Sequence, residues 1–306
     1  MVSKAERFLT FYTAEIKDSF YKNGGQQPMT IEQQNFSTIY TCFPGGKHKV
    51  LTMSYDDGKI YDRRLVALFN KYGIKGTFHI NGNGLFGEMG PLPRIPFDEI
   101  KELYKGHEVS CHTYTHPTIA RCPLSQVVQQ VIEDRKALEA ACGYPVRGMS
   151  YPNGSYSKEI IQMLPACGIE YSRIVGNTDD FGFPENYLEW KATCHHNHNL
   201  MENAERFAEL NKTQYLYMMY VWGHSYEFGE DESEWEKIEK FCEYIGGRDD
   251  IWYATNIEIV DYMKAADNLK FSAAGDLVYN PNAIPVWISV DEVFWEIKPG
   301  ETKEIR

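Results

Sequence analysis

Basic residues are in short supply: 31 Lys and Arg stand against 43 Asp and Glu, a formal charge of −12. A surface with that balance is not built to attract a phosphate backbone or an anionic lipid sheet, because both need clustered cations. Nucleic acid and membrane are therefore excluded as expected partners, and a neutral or cationic ligand fits better. Neither end holds an uninterrupted apolar run, and the opening stretch from Met1 to Arg7 lacks the charged, apolar and cleavage-site regions of a secretory signal, so a cytoplasmic protein is expected. Paired cysteines are missing too. The seven (Cys42, Cys111, Cys122, Cys142, Cys167, Cys194 and Cys242) are odd in number and scattered without a CxxC, which excludes a disulfide framework and a zinc finger and reads as reduced thiols. Internal repeats and low-complexity tracts are absent. What is present is 306 residues, 43% hydrophobic and 24% charged, enough for one large α/β domain or a domain with an appendage.

After a polar lead-in over residues 1–45, apolar periods of two and of 3.6 residues alternate along the chain. Residues 49–55 form a β-rich run that ends at Asp56-Asp57-Gly58, and 62–72 then has helical spacing through Leu65, Leu68 and Phe69. Strand patterns recur at 77–80, 108–111, 146–151, 215–222 and 252–255. Helical patterns stand between them, the clearest at 124–142, with Ser125 as expected N-cap and Gly143 past its end. Strands alternating with helices imply a parallel sheet with crossover helices, open or closed into a barrel. Polar residues at the carboxyl ends of such strands share one mouth, and Asp56, His112, Tyr151 and His224 all fall at those ends. From Phe271 onward short strand-like pieces and a Pro299-Gly300 turn predict a small β appendage.

Two segments carry chemistry. Asp56-Asp57 before a glycine is either a solvated turn or a pair in which one carboxylate takes a metal and the other faces a water beside it. His112-Thr113-Tyr114-Thr115-His116 spaces two imidazoles at i, i+4, on one side if the segment makes a helical turn. Either pattern alone is common; one βα unit apart, they point to a metal site. The run His195-His196-Asn197-His198 reads as an exposed loop or pocket wall, with a second metal site as the alternative.

The combination resembles the polysaccharide deacetylases, carbohydrate esterase family 4 with its NodB homology domain. Ser54-Tyr55-Asp56-Asp57-Gly58 stands for the first family motif, Thr-Phe-Asp-Asp-Gly, and residues 112–116 match the second, His-Ser/Thr-x-x-His, in full. The resemblance implies a NodB-type distorted (β/α) barrel over 46–270, with a small β extension over 271–306. It implies Asp56 as general base, with Asp57, His112 and His116 holding a divalent metal, Zn2+ foremost and Co2+ or Ni2+ as alternatives. A loosened third motif spans 147–154: Arg147 would orient Asp56, and the backbone N–H of Tyr151 would help hold the oxyanion. Val221-Trp222-Gly223-His224 approximates the last motif and makes His224 the acid. For the fourth, Asp-x-x-Asp-Trp, the chain offers only Asn177-Thr178-Asp179-Asp180-Phe181, so the partner of His224 is left unnamed.

The implied activity is removal of acetyl groups from N-acetylated sugars, hydrolysis of a non-peptide carbon–nitrogen bond, with an N-acetylated saccharide as the partner. Two alternatives stand beside it: a hydrolase of another carbon–nitrogen bond, such as that of a small cyclic amide, and a sugar-binding relative without catalysis. Oligomeric state is not legible.

Overall fold

Every residue of Lys49–Asp56 is buried. A strand covered on both faces needs no polar alternation, and this one is the centre of a parallel sheet. The computed structural model describes residues 37–86 and 92–306. In chain order its strands begin with β1 (Ile39–Cys42), β2 (Lys49–Asp56), β3 (Gly76–Ile80), β4 (Glu108–Cys111) and β5 (Gly148–Ser150). They continue with β6 (Tyr171–Asn177), β7 (Trp190–Ala192), β8 (Cys194–His195), β9 (Tyr217–His224) and β10 (Ile251–Tyr253). These last nine form one sheet in the order β7-β6-β5-β4-β3-β2-β9-β8, with β10 paired to β2. Every pairing in it is parallel. Between the strands lie α1 (Asp62–Tyr72), α2 (Ile100–Leu103), α3 (Leu124–Cys142), α4 (Lys158–Met163), α5 (Leu200–Glu209), α6 (Glu232–Ile245) and α7 (Asn256–Asp267).

The two ends of the sheet, β7 and β8, are separated by Thr193 alone. No ladder joins β7 to β9. The hydroxyl of Thr193 bridges the seam: it accepts from the Tyr220 N–H (3.0 Å) on β9 and donates to the Asp180 carbonyl (2.9 Å). The result is the distorted, barrel-like α/β fold expected from sequence, open along one side. Its carboxyl strand ends, Asp56, Ile80, Cys111, Ser150 and His224, lie at one mouth because parallel strands share direction.

Local signals place most helix ends. Gly73 and Gly143 adopt left-handed φ of 67° and 83° and close α1 and α3. Thr255 and Glu258 make a reciprocal capping box on α7. Ser125 is not the N-cap of α3. The helix has already begun at Leu124, and its first amides, those of Gln126 and Val127, bond to the carbonyl of Pro123, whose ring fixes the entry angle.

The C-terminal strands build two small antiparallel sheets, β1-β13-β14 and β11-β12-β15, from β11 (Lys270–Phe271), β12 (Leu277–Tyr279), β13 (Val286–Val290), β14 (Val293–Ile297) and β15 (Thr302–Glu304). Asp291 and Glu292, both at positive φ, turn the β13–β14 hairpin. The end of the lead-in, β1, pairs with β13, whereas residues 1–36 of that lead-in lie outside the described residues. Tyr262 on α7 ties this sheet down by donating to the Cys42 carbonyl (2.5 Å) and accepting from the Trp287 N–H (2.9 Å).

Candidate metal centre

At the end of β2 the Asp57 N–H still bonds to the His79 carbonyl (2.8 Å), and then the chain turns through φ of 81° at Asp57 and 60° at Gly58. Glycine is required at 58, since a Cβ there would lie 2.9 Å from Ile80 Cγ2. Arg94 donates to the Asp57 carbonyl and to Asn81 Oδ1, bracing the turn. The second segment is braced in the same way. Asp134 on α3 accepts from the N–H groups of His112 (2.8 Å) and Gly82 (2.5 Å), while Asn81 Nδ2 reaches the carbonyls of His112 (2.7 Å) and Thr113 (2.9 Å). Thr113 and His116 hold positive φ of 62° and 58°. Left-handed backbone at residues other than glycine costs energy and survives where the surroundings over-determine it.

These two turns bring together Asp57, His112 and His116, whose donor atoms lie within 4.8 Å of one another. His112 Nε2 and His116 Nε2 stand 4.0 and 3.9 Å from Asp57 Oδ1. Nδ1 of His112 lies 3.0 Å from the Ser150 carbonyl and 2.7 Å from its hydroxyl. A carbonyl only accepts, so the ring proton sits on Nδ1 and the Nε2 lone pair is free for an ion. Burial, partly offset by Asp56, lowers His112 to about 4, which keeps the imidazole neutral. Two imidazoles and one carboxylate form the donor set of an open catalytic Zn2+ site, so these residues fit a divalent ion.

Asp56 lies beside this set, 3.9 Å from His112 Nε2. Its Oδ1 accepts from the Ser150 hydroxyl (3.0 Å), and its Oδ2 pairs with the Arg173 guanidinium. Arg173 is itself buried on β6 and stacked on Trp222, 4.4 Å from the ring centroid. Burial works to raise the Asp56 carboxyl, yet Arg173, then His112, His79 and His224, outweigh it and hold the group well below the usual carboxylate range.

Two expectations are corrected here. Arg147 does not orient Asp56: it precedes β5, faces α7, and is engaged by Asp261 (2.5 Å) and Glu170 (3.1 Å). Arg173, one strand over and pointing into the barrel, takes that place. Its sequence signal was a lone arginine inside the buried run Tyr171-Ser172-Arg173-Ile174. The Tyr151 N–H is not available to an oxyanion, because it extends the β5–β6 ladder to the Arg173 carbonyl (3.0 Å), and the Tyr151 hydroxyl is spent on the Leu188 carbonyl (2.9 Å).

His224 closes the mouth at the end of β9, in register with Asp56 on β2. Its partner is Glu227, with Nδ1 to Oε1 at 3.1 Å. Burial lowers the imidazole, but the Glu227 hydrogen bond and the Asp56 charge prevail and leave it raised. Sequence reasoning missed Glu227, although its i, i+3 spacing from His224 was visible. The 177–181 segment plays other parts: the Asn177 side-chain carbonyl accepts from the His195 N–H (2.8 Å), and Asp179 binds His198 (3.0 Å). His195, His196 and Glu227 form a second close group. His195 Nδ1, however, accepts from the Asn197 N–H (3.1 Å), which places the ring proton on Nε2 toward Glu227 and leaves no lone pair there for an ion.

A parallel barrel-like sheet with a two-histidine, one-aspartate set at its carboxyl mouth defines an α/β protein with a candidate hydrolytic metal centre. Residues 44–172 match the family model described as polysaccharide deacetylase. The peptidoglycan-N-acetylglucosamine deacetylase PgdA of Listeria monocytogenes is 24% identical over 127 residues, 41% of this chain and 26% of that protein. A chitooligosaccharide deacetylase of Bradyrhizobium sp. is 23% identical over 120 residues, 38% of this chain and 52% of its own. The match thus spans a quarter to a half of these relatives' lengths. Among solved structures, a Mycobacterium smegmatis protein assigned to the polysaccharide deacetylases aligns with a TM-score of 0.53 at 15% identity, covering 74% of this chain and 93% of that one. The Xyl-CE4 domain of a multidomain xylanase from the hindgut metagenome of Trinervitermes trinervoides aligns at 0.50 with 14% identity, covering 74% and 96%. These show a shared fold. Among the described residues no helix is long and apolar enough to cross a membrane.

Proposed function

We propose that this chain is a metal-dependent hydrolase that removes acetyl groups from N-acetylated saccharides. The observation that carries the reading is one mouth holding the Asp57, His112 and His116 donors with an ionised carboxylate, Asp56, and a proton-rich imidazole, His224, beside them. A divalent ion held by those donors, Zn2+ by their chemistry, supplies Lewis acidity that polarises the acetyl carbonyl and makes water a competent nucleophile.

The protein's own groups deal with the two other obstacles to amide hydrolysis, a proton to be removed and a poor leaving group. Asp56 is deprotonated at any working pH and accepts the proton of the attacking water. Ser150 and Arg173 hold its two oxygens, so the carboxylate waits in one orientation. His224 then gives a proton to the departing nitrogen, releasing acetate and a free amine. One acid and one base kept in opposite charge states by their surroundings is the arrangement such a reaction needs.

Acetate release from N-acetylglucosamine mono- to hexasaccharides tests the reading, measured on metal-loaded, chelator-treated and metal-restored protein. Release that disappears with the metal and returns with it supports the proposal; release indifferent to chelation, or none from the loaded protein, defeats it.

A further inference from the structure

The carboxylate of Glu227 gathers three imidazoles. It lies in the helical turn Ser225–Glu227 directly after β9, so Oε1 reaches back to His224 Nδ1 at 3.1 Å. Its other oxygen, Oε2, stands 3.1 Å from His195 Nε2 and 2.9 Å from His196 Nε2. Both neighbours are fixed by packing. The His196 ring lies between Tyr55 (5.7 Å) and Phe228 (4.5 Å), stacked on each. It fits there because position 223 is glycine: a Cβ at Gly223 would lie 2.0 Å from His196 Nδ1. His195 packs edge-on against Trp222 at 4.5 Å, and its Nδ1 is occupied by the Asn197 N–H. With Oε2 lying close to two immobile rings, in contacts that lack hydrogen-bond geometry, the carboxylate has its second oxygen aimed at His224 at little further entropic cost.

Resting on the reading of His224 as the acid, we propose that Glu227 is a positioning residue: by accepting from Nδ1 of His224 it places the transferable proton on Nε2 and favours the imidazolium, while His195 and His196 hold it in line. Other groups face this pair. Asp56 and Asp57 from the end of β2 add to the pull of Glu227 on His224, and the Tyr226 ring lies tilted against it at 5.0 Å. Around Glu227 stand His195, His196 and His224, with the Tyr55 and Tyr226 hydroxyl groups also within its field. Burial tends to raise the Glu227 carboxyl, but the three imidazoles prevail and hold it well below its ordinary range. The carboxylate therefore stays charged wherever His224 titrates, and the relation between them is that of a fixed anion and a tunable cation.

Imidazole 15N chemical shifts of the Zn2+-loaded full chain, followed against pH, test this directly. Glu227→Gln is expected to lower the pKa of His224 by about one unit or more and to remove the preference for a proton on Nδ1 in the neutral ring. Glu227→Asp, which keeps the charge at shorter reach, should recover part of both. The basic limb of kcat/KM on N-acetylglucosamine oligomers should shift to lower pH in parallel, with kcat falling more than KM rises. A His224 pKa unchanged in folded Glu227→Gln, or no recovery in Glu227→Asp, overturns the proposal. Because the titration is read without substrate, a chain that fails to release acetate counts against the deacetylase reading and leaves the role of Glu227 to be decided by the spectra.

Discussion

Arg173 on β6 reaches Oδ2 of Asp56 at the end of β2, pairing a guanidinium and a carboxylate 117 positions apart, both almost fully buried. A buried charge stays ionised only when another matches it. Removing Arg173 leaves Asp56 unmatched in a dry site, so its pKa rises. With Asp56 proposed to act as the carboxylate, Arg173→Gln should raise an acidic limb of kcat/KM into the working pH range, and folding should lose about 3–5 kcal/mol. Arg147→Ala is the contrast. Its partners are half-exposed, so the acidic limb stays in place and the stability cost is about 1 kcal/mol or less. A pH profile that moved with Arg147 and not with Arg173 would return the base-orienting role to the third-motif arginine.

Metal content separates the neighbouring aspartates. On the proposed metal site, His112→Ala and His116→Ala should each lose the ion with the fold retained, since both side chains sit on turns at the mouth and the core lies below them. Asp57→Asn should bind metal more weakly, whereas Asp56→Asn should keep it and lose most turnover, at least about a hundredfold. Elemental analysis of the purified variants alongside acetate release checks this. Equal metal content in the Asp56 and Asp57 variants would show that the two carboxylates are not divided in role.

Leaving-group chemistry reads the acid. An activated ester departs as a stabilised phenolate and needs little protonation, while an amine needs it fully. His224→Ala should therefore slow acetamide hydrolysis by about a hundredfold or more and a phenyl acetate far less. Equal losses on both substrates would make His224 a substrate-positioning group.

A buried carboxyl far from the mouth makes stability depend on pH. Glu108 accepts from Tyr171 (2.6 Å), Thr77 (3.0 Å) and the Ile257 N–H (2.9 Å), and burial raises it from 4.5 to about 7. Between those values the folded chain keeps the proton and the unfolded chain releases it. Stability from this group is complete below pH 4.5 and is lost as pH rises through 7, by at most ~1.4 kcal/mol per pH unit. Asp62 and Asp134, both raised to about 7 by burial, act in the same sense. Asp56 and Glu227, shifted downward, act only in more acid solution. Glu108→Gln preserves the neutral shape without the titration, so urea midpoints at pH 5, 6 and 7 should fall less steeply than those of the natural chain. Parallel slopes would mean that Glu108 is charged when folded.

The chain's local spacing already contained the part of the site that depends on neighbours within a few residues. Asp56-Asp57-Gly58 can turn sharply only because residue 58 lacks a Cβ, and His112 to His116 carries its two imidazoles on one short loop; the strand and helix periods around them likewise announced a parallel α/β sheet. What spacing could not determine is which distant side chain faces which. Arg147 and Arg173 belong to neighbouring strands, but Arg147 stands at the amino end of β5 and points outward to α7, whereas Arg173 points inward to Asp56. The Tyr151 N–H could be counted as a free donor until the β5–β6 register consumed it. Glu227 stood three positions from His224 in plain view, yet its role depends on two rings arriving from the other side of the seam. Hydrogen-bond partners of this kind are set by strand order, side-chain alternation and burial, quantities that exist only once the chain has packed against itself.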